Sequence, residues 1–150
     1  MERVKGIGGI FFKGRDSQAL QQWYGKHLGM PLTKWGGVVF RSGGGGRTEP
    51  NTSTAWSVFP EDTDYFGPGP APFMVNYRVA NLDRMLAQLR AGGVAVEDKV
   101  DASEFGRFGW ATDPEGNRFE LWEPPKPRAK PKRKSKAAAT KRKPVKAKRR

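Results

Sequence analysis

The pattern of apolar and polar positions at the start of the chain predicts a strand followed by a helix. Residues 6–13 are apolar and aromatic, which is typical of a strand. Asp16 is a candidate N-cap, and the apolar positions after it recur at steps of one, three and four residues up to Leu28. This spacing predicts an amphipathic helix, which Gly29 and Pro31 should end.

Short apolar runs separated by turn residues continue the pattern. We expect a strand pair within residues 33–42, turning at a Gly-Gly dipeptide, and a loop over residues 43–51. Residues 54–59 predict a further strand, and residues 60–72 predict a loop rich in Pro, Gly and acidic side chains.

The same order of elements then recurs. Residues 73–79 predict a strand, and Asn81 is a candidate N-cap before a helical stripe that reaches Leu89. Paired glycines end this helix, and residues 94–96 predict a short strand.

The last predicted elements are two strands in a hairpin. They cover residues 107–112 and 118–122, and the sequence Asp-Pro-Glu-Gly-Asn lies between them. Asp-Pro opens a turn and Gly-Asn closes it, so this sequence predicts a hairpin.

Asp16 and Asn81 mark a weak internal duplication. Each follows a predicted strand and opens a predicted helix that ends in glycine. The repeated order predicts an α+β domain of two β-α-β-β-β modules, over residues 4–60 and 73–124, with both helices on one face of a mixed sheet. The opposite face is then free to form a concave site.

Charge separates this domain from the end of the chain. The protein has 150 residues with 28 Lys and Arg and 15 Asp and Glu, a net charge of +13. Residues 126–150 hold 14 of the basic residues and no acidic residue, so residues 1–125 carry a net charge of −1. The domain therefore spans residues 1–125, and the basic character belongs to the tail.

Composition excludes several kinds of site. The chain has no Cys, which excludes disulfides, thiolate metal ligands and thiol catalysis. No apolar run approaches the ~18 residues that a membrane span needs, and the N-terminus lacks a signal-peptide cleavage site. We expect a soluble cytoplasmic protein without a membrane partner.

Three strings carry a family likeness. Residues 9–30 (GIFFKGRDSQALQQWYGKHLGM) give a strand, an Asp, a helix with a Trp-Tyr pair and a Leu-Gly end, and residues 76–94 (NYRVANLDRMLAQLRAGGV) start a second unit of this kind. Residues 111–124 (ATDPEGNRFELWEP) place an Asp-Pro-x-Gly-Asn turn before a strand with Glu-Leu. In this order they resemble the glyoxalase/bleomycin-resistance/dioxygenase superfamily, the vicinal oxygen chelate fold. The resemblance implies a cup-shaped sheet, and homodimers are common among such proteins.

The resemblance also implies positions for a divalent metal. The ligand positions of the family fall on Gly9, near Met74 and on Glu120. Glycine has no ligating atom, and a thioether suits hard or borderline metals poorly. The sequence therefore predicts no cofactor. A divalent metal is the alternative, but only Glu120 matches the ligands of the family, and catalytic sites need about three protein ligands.

Strand alternation predicts the lining of the cup, if Gly9, Met74 and Glu120 face it. Aromatic walls with a few charged groups would suit an anionic or aromatic small molecule. Glu120 is the candidate catalytic residue. The candidate ligand-binding residues are Phe11, Lys13, Asn76, Arg78, Phe108, Trp110 and Arg118.

Glu120 has a structural alternative and an enzymatic one. It could form an ion pair with Arg78 or Arg118 and line nothing. It could also act as the general base of a lyase or isomerase, beside an oxyanion held by Arg78, Arg118 or Lys13.

The tail has no aromatic residue and too little apolar surface to fold alone, so disorder is expected. Its cations predict non-specific binding to nucleic acid through phosphates, and hence an association with the nucleoid. Binding to a membrane surface and simple solubilisation are the alternatives. The candidate nucleic-acid-binding residues are Lys130, Lys132, Arg133, Lys134, Lys136, Lys141, Arg142, Lys143, Lys146, Lys148, Arg149 and Arg150.

Three hypotheses follow for the whole chain. In the first, a small-molecule-binding domain without the usual metal ligands carries a tail that binds nucleic acid. In the second, the domain is a glyoxalase-like lyase or isomerase that uses Glu120. In the third, the tail carries the main function and the domain is a platform.

Overall fold

One mixed seven-stranded sheet and two helices make up the described part of the chain. The computed structural model describes residues 1–41 and 52–126. The strands are Val4–Gly14 (β1), Val38–Arg41 (β2), Ser53–Pro60 (β3), Phe73–Val79 (β4), Ala95–Ser103 (β5), Gly106–Thr112 (β6) and Arg118–Glu123 (β7); the helices are Ser17–Leu28 (α1) and Leu82–Ala91 (α2).

The two predicted modules meet in the middle of the sheet. The strand order is β2-β3-β1-β4-β7-β6-β5, and the sheet is not closed. Within the modules β1 runs parallel to β3 and β4 parallel to β7, whereas the central β1–β4 pair, which joins the modules, is antiparallel. The predicted α+β class and mixed sheet are confirmed.

Both predicted helices begin where their caps were expected. A carboxylate oxygen of Asp16 accepts a hydrogen bond from Ala19 N at 2.9 Å, and Asn81 Oδ1 accepts one from Arg84 N at 2.9 Å. These bonds satisfy amide groups that have no partner within the first helical turn. Gly29 ends α1 in the left-handed region at φ 63°, which favours glycine.

Two strand predictions need correction. Residues 33–37 form a turn and not the first strand of a pair, because the amide of Thr33 donates to Gly37 O at 2.9 Å and that of Gly36 donates to Thr33 O at 3.0 Å. Among the described residues 33–41, Val38–Arg41 alone is extended. The short strand predicted at residues 94–96 is longer, because β5 continues along β6 to Ser103.

The two helices cover the convex face of the sheet unequally. Helix α2 buries Leu82, Met85 and Leu86 against Val79 and Leu121. Helix α1 buries no residue fully. It contacts the sheet through the Tyr24 ring, which meets the rings of Phe12 and Trp56 edge to face at 6.1 and 5.0 Å.

The basic tail lies outside the described residues, except for Lys126, and so do all of its candidate nucleic-acid-binding residues. The predicted loop at residues 43–51 also lies outside them. Neither α1 nor α2 is long and apolar enough to cross a membrane.

Candidate functional site

The register of the sheet brings the predicted cup residues to one face. Trp110 lies opposite Glu120, Glu120 opposite Asn76, and Asn76 opposite Gly9. Side chains directly opposite each other in paired strands share a face, and this face is the concave one. Two residues further along, Phe108, Trp122 and Arg78 form a parallel row.

Glu120 is buried at the centre of this face, with 2% of its surface exposed. Its carboxylate accepts hydrogen bonds from the Tyr65 hydroxyl, from Asn76 Nδ2 at 2.6 Å and from Trp110 Nε1 at 2.9 Å. Three donors therefore compensate the carboxylate for lost water, as buried charge requires. Asn76 Oδ1 is buried and has no hydrogen-bond partner among the described residues.

Burial also sets the protonation of this cluster. Loss of water raises the pKa of Glu120, and the bonds from Tyr65, Asn76 and Trp110 oppose that rise. Burial and the neighbouring negative charge of Glu120 raise the pKa of Tyr65 far above its usual value. The Tyr65 phenol therefore keeps its proton at neutral pH and acts as a donor to Glu120.

Residues 60–72 fold over one half of the concave face. Phe66 and Tyr65 from this segment pack with Met74 and Trp110, and the Tyr65 ring stacks on Phe59 with centroids 5.4 Å apart. Phe66, Met74 and Trp110 are all at most 2% exposed. This half of the cup is thus filled by the protein's own side chains.

Arg118 holds this cover in place. Its guanidinium forms a two-pronged ion pair with Glu97 at 2.6 and 2.8 Å and donates to the backbone carbonyl of Tyr65. It also lies over the ring of Trp110, 4.9 Å from the centroid. Arg118 therefore forms its ion pair with Glu97. This differs from the alternative in which Arg118 pairs with Glu120.

Residues 1–41 and 52–126 leave the other half of the concave face open. A cavity of about 580 Å³ lies there, between strands of both modules. It is lined mainly by apolar and aromatic side chains, with one cation and one anion: Trp35, Val39, Arg41, Ser53, Ala55, Glu104, Phe105, Phe108, Trp122 and Pro125.

Two aromatic residues form one wall of this cavity. The rings of Phe108 and Trp122 are nearly parallel, at 13°, with centroids 6.4 Å apart. Trp122 Nε1 donates to Phe105 O at 2.8 Å, which ties the β5–β6 turn to the wall. Trp35 and Phe105 stand at the rim and are 56% and 66% exposed.

Gly8 on β1 is needed for the position of this wall. A Cβ at residue 8 would overlap Asn76 Oδ1 and lie 2.8 Å from Trp122 Cε3, closer than real Cβ contacts. A residue without a side chain therefore lets Trp122 and Asn76 approach the backbone of β1.

Residues 9–122 match the family model described as "Glyoxalase-like domain". The chain belongs to this family. The predicted membership of the glyoxalase/bleomycin-resistance/dioxygenase superfamily is confirmed. Comparison with curated proteins finds no match.

Solved structures with the same fold include three structures of methylmalonyl-CoA epimerase. The Mycobacterium tuberculosis enzyme is 20% identical, with a TM-score of 0.58 over 81% of this chain and 89% of its own. An epimerase in complex with methylmalonyl-CoA and NH4+ is 15% identical, with a TM-score of 0.61 over 81% and 96%. A variant of the Streptomyces coelicolor enzyme bound to 2-nitronate-propionyl-CoA is 15% identical, with a TM-score of 0.61 over 81% of this chain and 99% of its own. At these identities the likeness establishes the fold alone.

The glyoxalase-like domain of this chain does not fit the metal that its superfamily implies. Of the three ligand positions, Gly9 offers no ligand, the thioether of Met74 is fully buried, and the Glu120 oxygens already accept three hydrogen bonds. The indole N–H of Trp110 can donate but cannot coordinate. Within residues 1–41 and 52–126, no three His, Asp or Glu side chains lie close enough to hold a metal ion.

The predicted site residues of the glyoxalase-like domain lie in different surroundings and do not form one site. Phe108 lines the open cavity. Asn76 and Trp110 surround Glu120, while Phe11 and Arg118 belong to the filled half. Lys13 Nζ lies over the ring of Phe66, 5.6 Å from its centroid, and Arg78 Nη2 donates to Lys5 O at 3.2 Å.

The sequence did not reveal the residues that cover the filled half of the cup, nor two of the residues that line the open cavity. Tyr65 and Phe66 lie in a segment predicted only as a loop, where two adjacent aromatic residues among Pro, Gly and acidic residues were the available signal. Trp35 falls in the strand pair predicted at residues 33–42 but lies in a turn of the structure, and Phe105 lies in the turn after β5. Strand alternation therefore marked neither of them as a cavity residue.

Proposed function

We propose that this chain binds a flat aromatic small molecule in the open cavity of its concave face. The observation that carries the proposal is the cavity itself, with Trp35, Phe105, Phe108 and Trp122 around about 580 Å³. Ligand sites usually have volumes of about 300–1,000 Å³ and mostly apolar walls with a few polar groups. Aromatic rings favour partners that stack on their faces or meet their edges.

The polar groups of the lining narrow the chemistry of the ligand. Arg41 supplies one cation at the cavity, and Ser53 and Glu104 supply groups for hydrogen bonds. An aromatic ring that carries an acidic substituent can pack against the aromatic walls and pair its negative charge with Arg41. This agrees with the anionic or aromatic ligand that the sequence predicts.

The geometry favours ligand binding over a reaction in which Glu120 is the general base. A general base must lie about 2.6–3.2 Å from the proton it removes, directly or through one water. Glu120 is buried beneath Tyr65 and Trp110 and is not among the cavity-lining residues. The arrangement instead supports a role for Glu120 in fixing the cover over the filled half.

A dye with both features tests the proposal. Anilinonaphthalene sulfonate is aromatic and anionic, and we expect it to bind the full chain at one site with a rise in fluorescence. Trp35→Ala and Phe105→Ala should each weaken this binding about tenfold, since one buried aromatic contact is worth roughly 1–3 kcal/mol. Trp23→Ala is the matched control, because Trp23 is 51% exposed on α1 and lies outside the cavity. Equal loss in the control, or no loss in either variant, would contradict the proposal.

We also propose that the tail binds nucleic acid through phosphates. The support is the charge distribution: residues 126–150 hold 14 cations and no anion, beside a domain of net charge −1. Such binding depends on salt and not on base sequence. Titration of duplex DNA at several salt concentrations tests it, and binding that ignores salt would reject it.

A further inference from the structure

Two side chains of opposite charge line the open cavity: Arg41 at the end of β2, and Glu104 in the turn between β5 and β6. β2 and β5 are the two edges of the seven-stranded sheet, and in a flat sheet they would lie about 29 Å apart, six spacings of about 4.8 Å. Because both side chains line one cavity of about 580 Å³, the sheet curves enough to bring its two edge regions together there. The cation and the anion of the cavity therefore come from opposite edges of the sheet.

These two charges have no protein partner among the described residues. Neither Arg41 nor Glu104 forms an ion pair or a hydrogen bond there, and no ion pair joins one to the other. By contrast, Arg118 of the filled half is paired with Glu97. Within the described structure, the cavity thus offers a cation and an anion with which a bound molecule can pair.

The aromatic wall of the cavity lies between the two charges. In the strand order, β7 with Trp122 and β6 with Phe108 stand between the edge that carries Arg41 and the turn that carries Glu104. The rings of Phe108 and Trp122 are nearly parallel, at 13°. A ligand ring that packs on this wall therefore has a cation on the β2 side and an anion on the side of the β5–β6 turn.

We propose that the open cavity binds a zwitterionic aromatic molecule. Its acidic group pairs with Arg41, and its basic group, at the opposite end of the ring, pairs with Glu104. This inference rests on the proposed aromatic site and specifies the charge pattern of the ligand.

The charges of the cavity also select against ligands that carry a single charge. An aromatic anion pairs with Arg41, but its ring displaces water from Glu104 and supplies no partner for it. An aromatic cation leaves Arg41 in the same position. Removal of water from an unpaired charge costs free energy, so selectivity comes from this penalty as well as from attraction. A zwitterion avoids both penalties.

The experiment compares three compounds of nearly the same shape on the full chain. At neutral pH, para-(aminomethyl)benzoate carries both charges, para-ethylbenzoate carries the negative charge alone, and para-ethylbenzylamine carries the positive charge alone. Their affinities are measured by displacement of anilinonaphthalene sulfonate. We expect the zwitterion to bind about 2- to 5-fold tighter than either singly charged compound, which is the gain expected from one ion pair in contact with water.

Two variants show which side chain recognises which charge. Glu104→Gln should remove the preference for the zwitterion over para-ethylbenzoate, and Arg41→Gln should remove its preference over para-ethylbenzylamine. Both side chains are exposed, so neither change should unfold the domain. Glu115→Gln and Arg84→Gln are the matched controls, because both residues are exposed and lie outside the cavity. Both controls should keep both preferences.

Equal affinities of the three compounds for the unaltered protein would overturn the zwitterion proposal, and so would preferences that survive both cavity variants. This failure can be told from failure of the aromatic site itself. If the dye binds and Trp35→Ala weakens its binding, but the three compounds bind equally, the aromatic site stands without selectivity for a zwitterion. If the dye does not bind in the cavity, the aromatic site fails, and the zwitterion proposal falls with it.

Discussion

The hydroxyl of Tyr65 donates a hydrogen bond to the carboxylate of Glu120, and this bond joins the 60–72 segment to the centre of the sheet. The two residues are 55 positions apart in the chain. The bond explains why half of the concave face is filled: Tyr65 supplies one of the three donors that allow Glu120 to be buried, and Phe66 packs beside it.

Tyr65→Phe tests the strength of this connection. The change removes one donor to a buried carboxylate, and hydrogen bonds to charged groups contribute about 1.5–3 kcal/mol. We expect the free energy of unfolding in urea to fall by about that amount. Tyr24→Phe is the control, because Tyr24 contacts its neighbours through ring faces and edges. An equal loss in both variants would mean that the hydroxyl of Tyr65 contributes nothing specific.

Glu120→Gln should change how stability depends on pH. The pKa of Glu120 is raised in the folded protein, so the folded state binds its proton more tightly than the unfolded state does. The contribution of Glu120 is therefore fully present below the unfolded value, near 4.3, and is lost as pH rises through the raised folded value. We expect the stability of the natural protein, relative to Glu120→Gln, to decrease over the pH range above the unfolded value. Urea unfolding of both proteins across this range measures the difference, and an opposite slope would contradict the burial argument.

Gly8→Ala should disturb the cavity wall. The added methyl would overlap Asn76 and press on Trp122, and overpacking of this kind typically costs about 1–3 kcal/mol. Dye binding should weaken as well, since Trp122 lines the cavity. Gly92→Ala is the control: its nearest neighbour would be 3.4 Å away, and its φ of −83° is open to any residue. We expect urea unfolding to show a change below about 0.5 kcal/mol there.

Salt dependence measures how many tail cations engage DNA. If half of the 14 cations bind duplex phosphates, the slope of log affinity against log salt is about −6. Replacement of the seven Lys and Arg residues in 141–150 by Gln halves the cations and should bring the slope to about −3. Fluorescence anisotropy with labelled duplex DNA gives both slopes. An unchanged slope would place the contacts elsewhere.

Much of the sheet could be predicted because its signals are local. The Asp-Pro-Glu-Gly-Asn turn closes as expected, with Asp113 N donating to Asn117 O at 3.0 Å. Strand alternation also placed Asn76, Trp110 and Glu120 on one face, since side-chain direction follows from position in a strand. Neither inference needs information about distant parts of the chain.

The division of the concave face into a filled half and an open cavity could not be predicted in this way. Alternation gives the face on which Trp110 lies but not what lies above it, and Phe66 covers it from a segment without periodicity. The extent of β5 was also missed, because its residues 97–101 are mostly charged and show no apolar pattern. Pairing with β6 extends the strand there, which is tertiary context overriding local preference.

The charged residues of β5 have a further consequence for the open sheet. An edge strand exposes unpaired backbone groups that can template aggregation with another chain. β5 is one edge, and it carries Glu97, Asp98, Lys99 and Asp101, with a 3.0 Å ion pair between the last two. On the other side of the sheet, the Gln21 side chain donates to Val58 O of β3 at 2.9 Å. The charges on β5 thus disfavour edge-to-edge aggregation at that edge, and the Gln21 side chain occupies a backbone acceptor of β3.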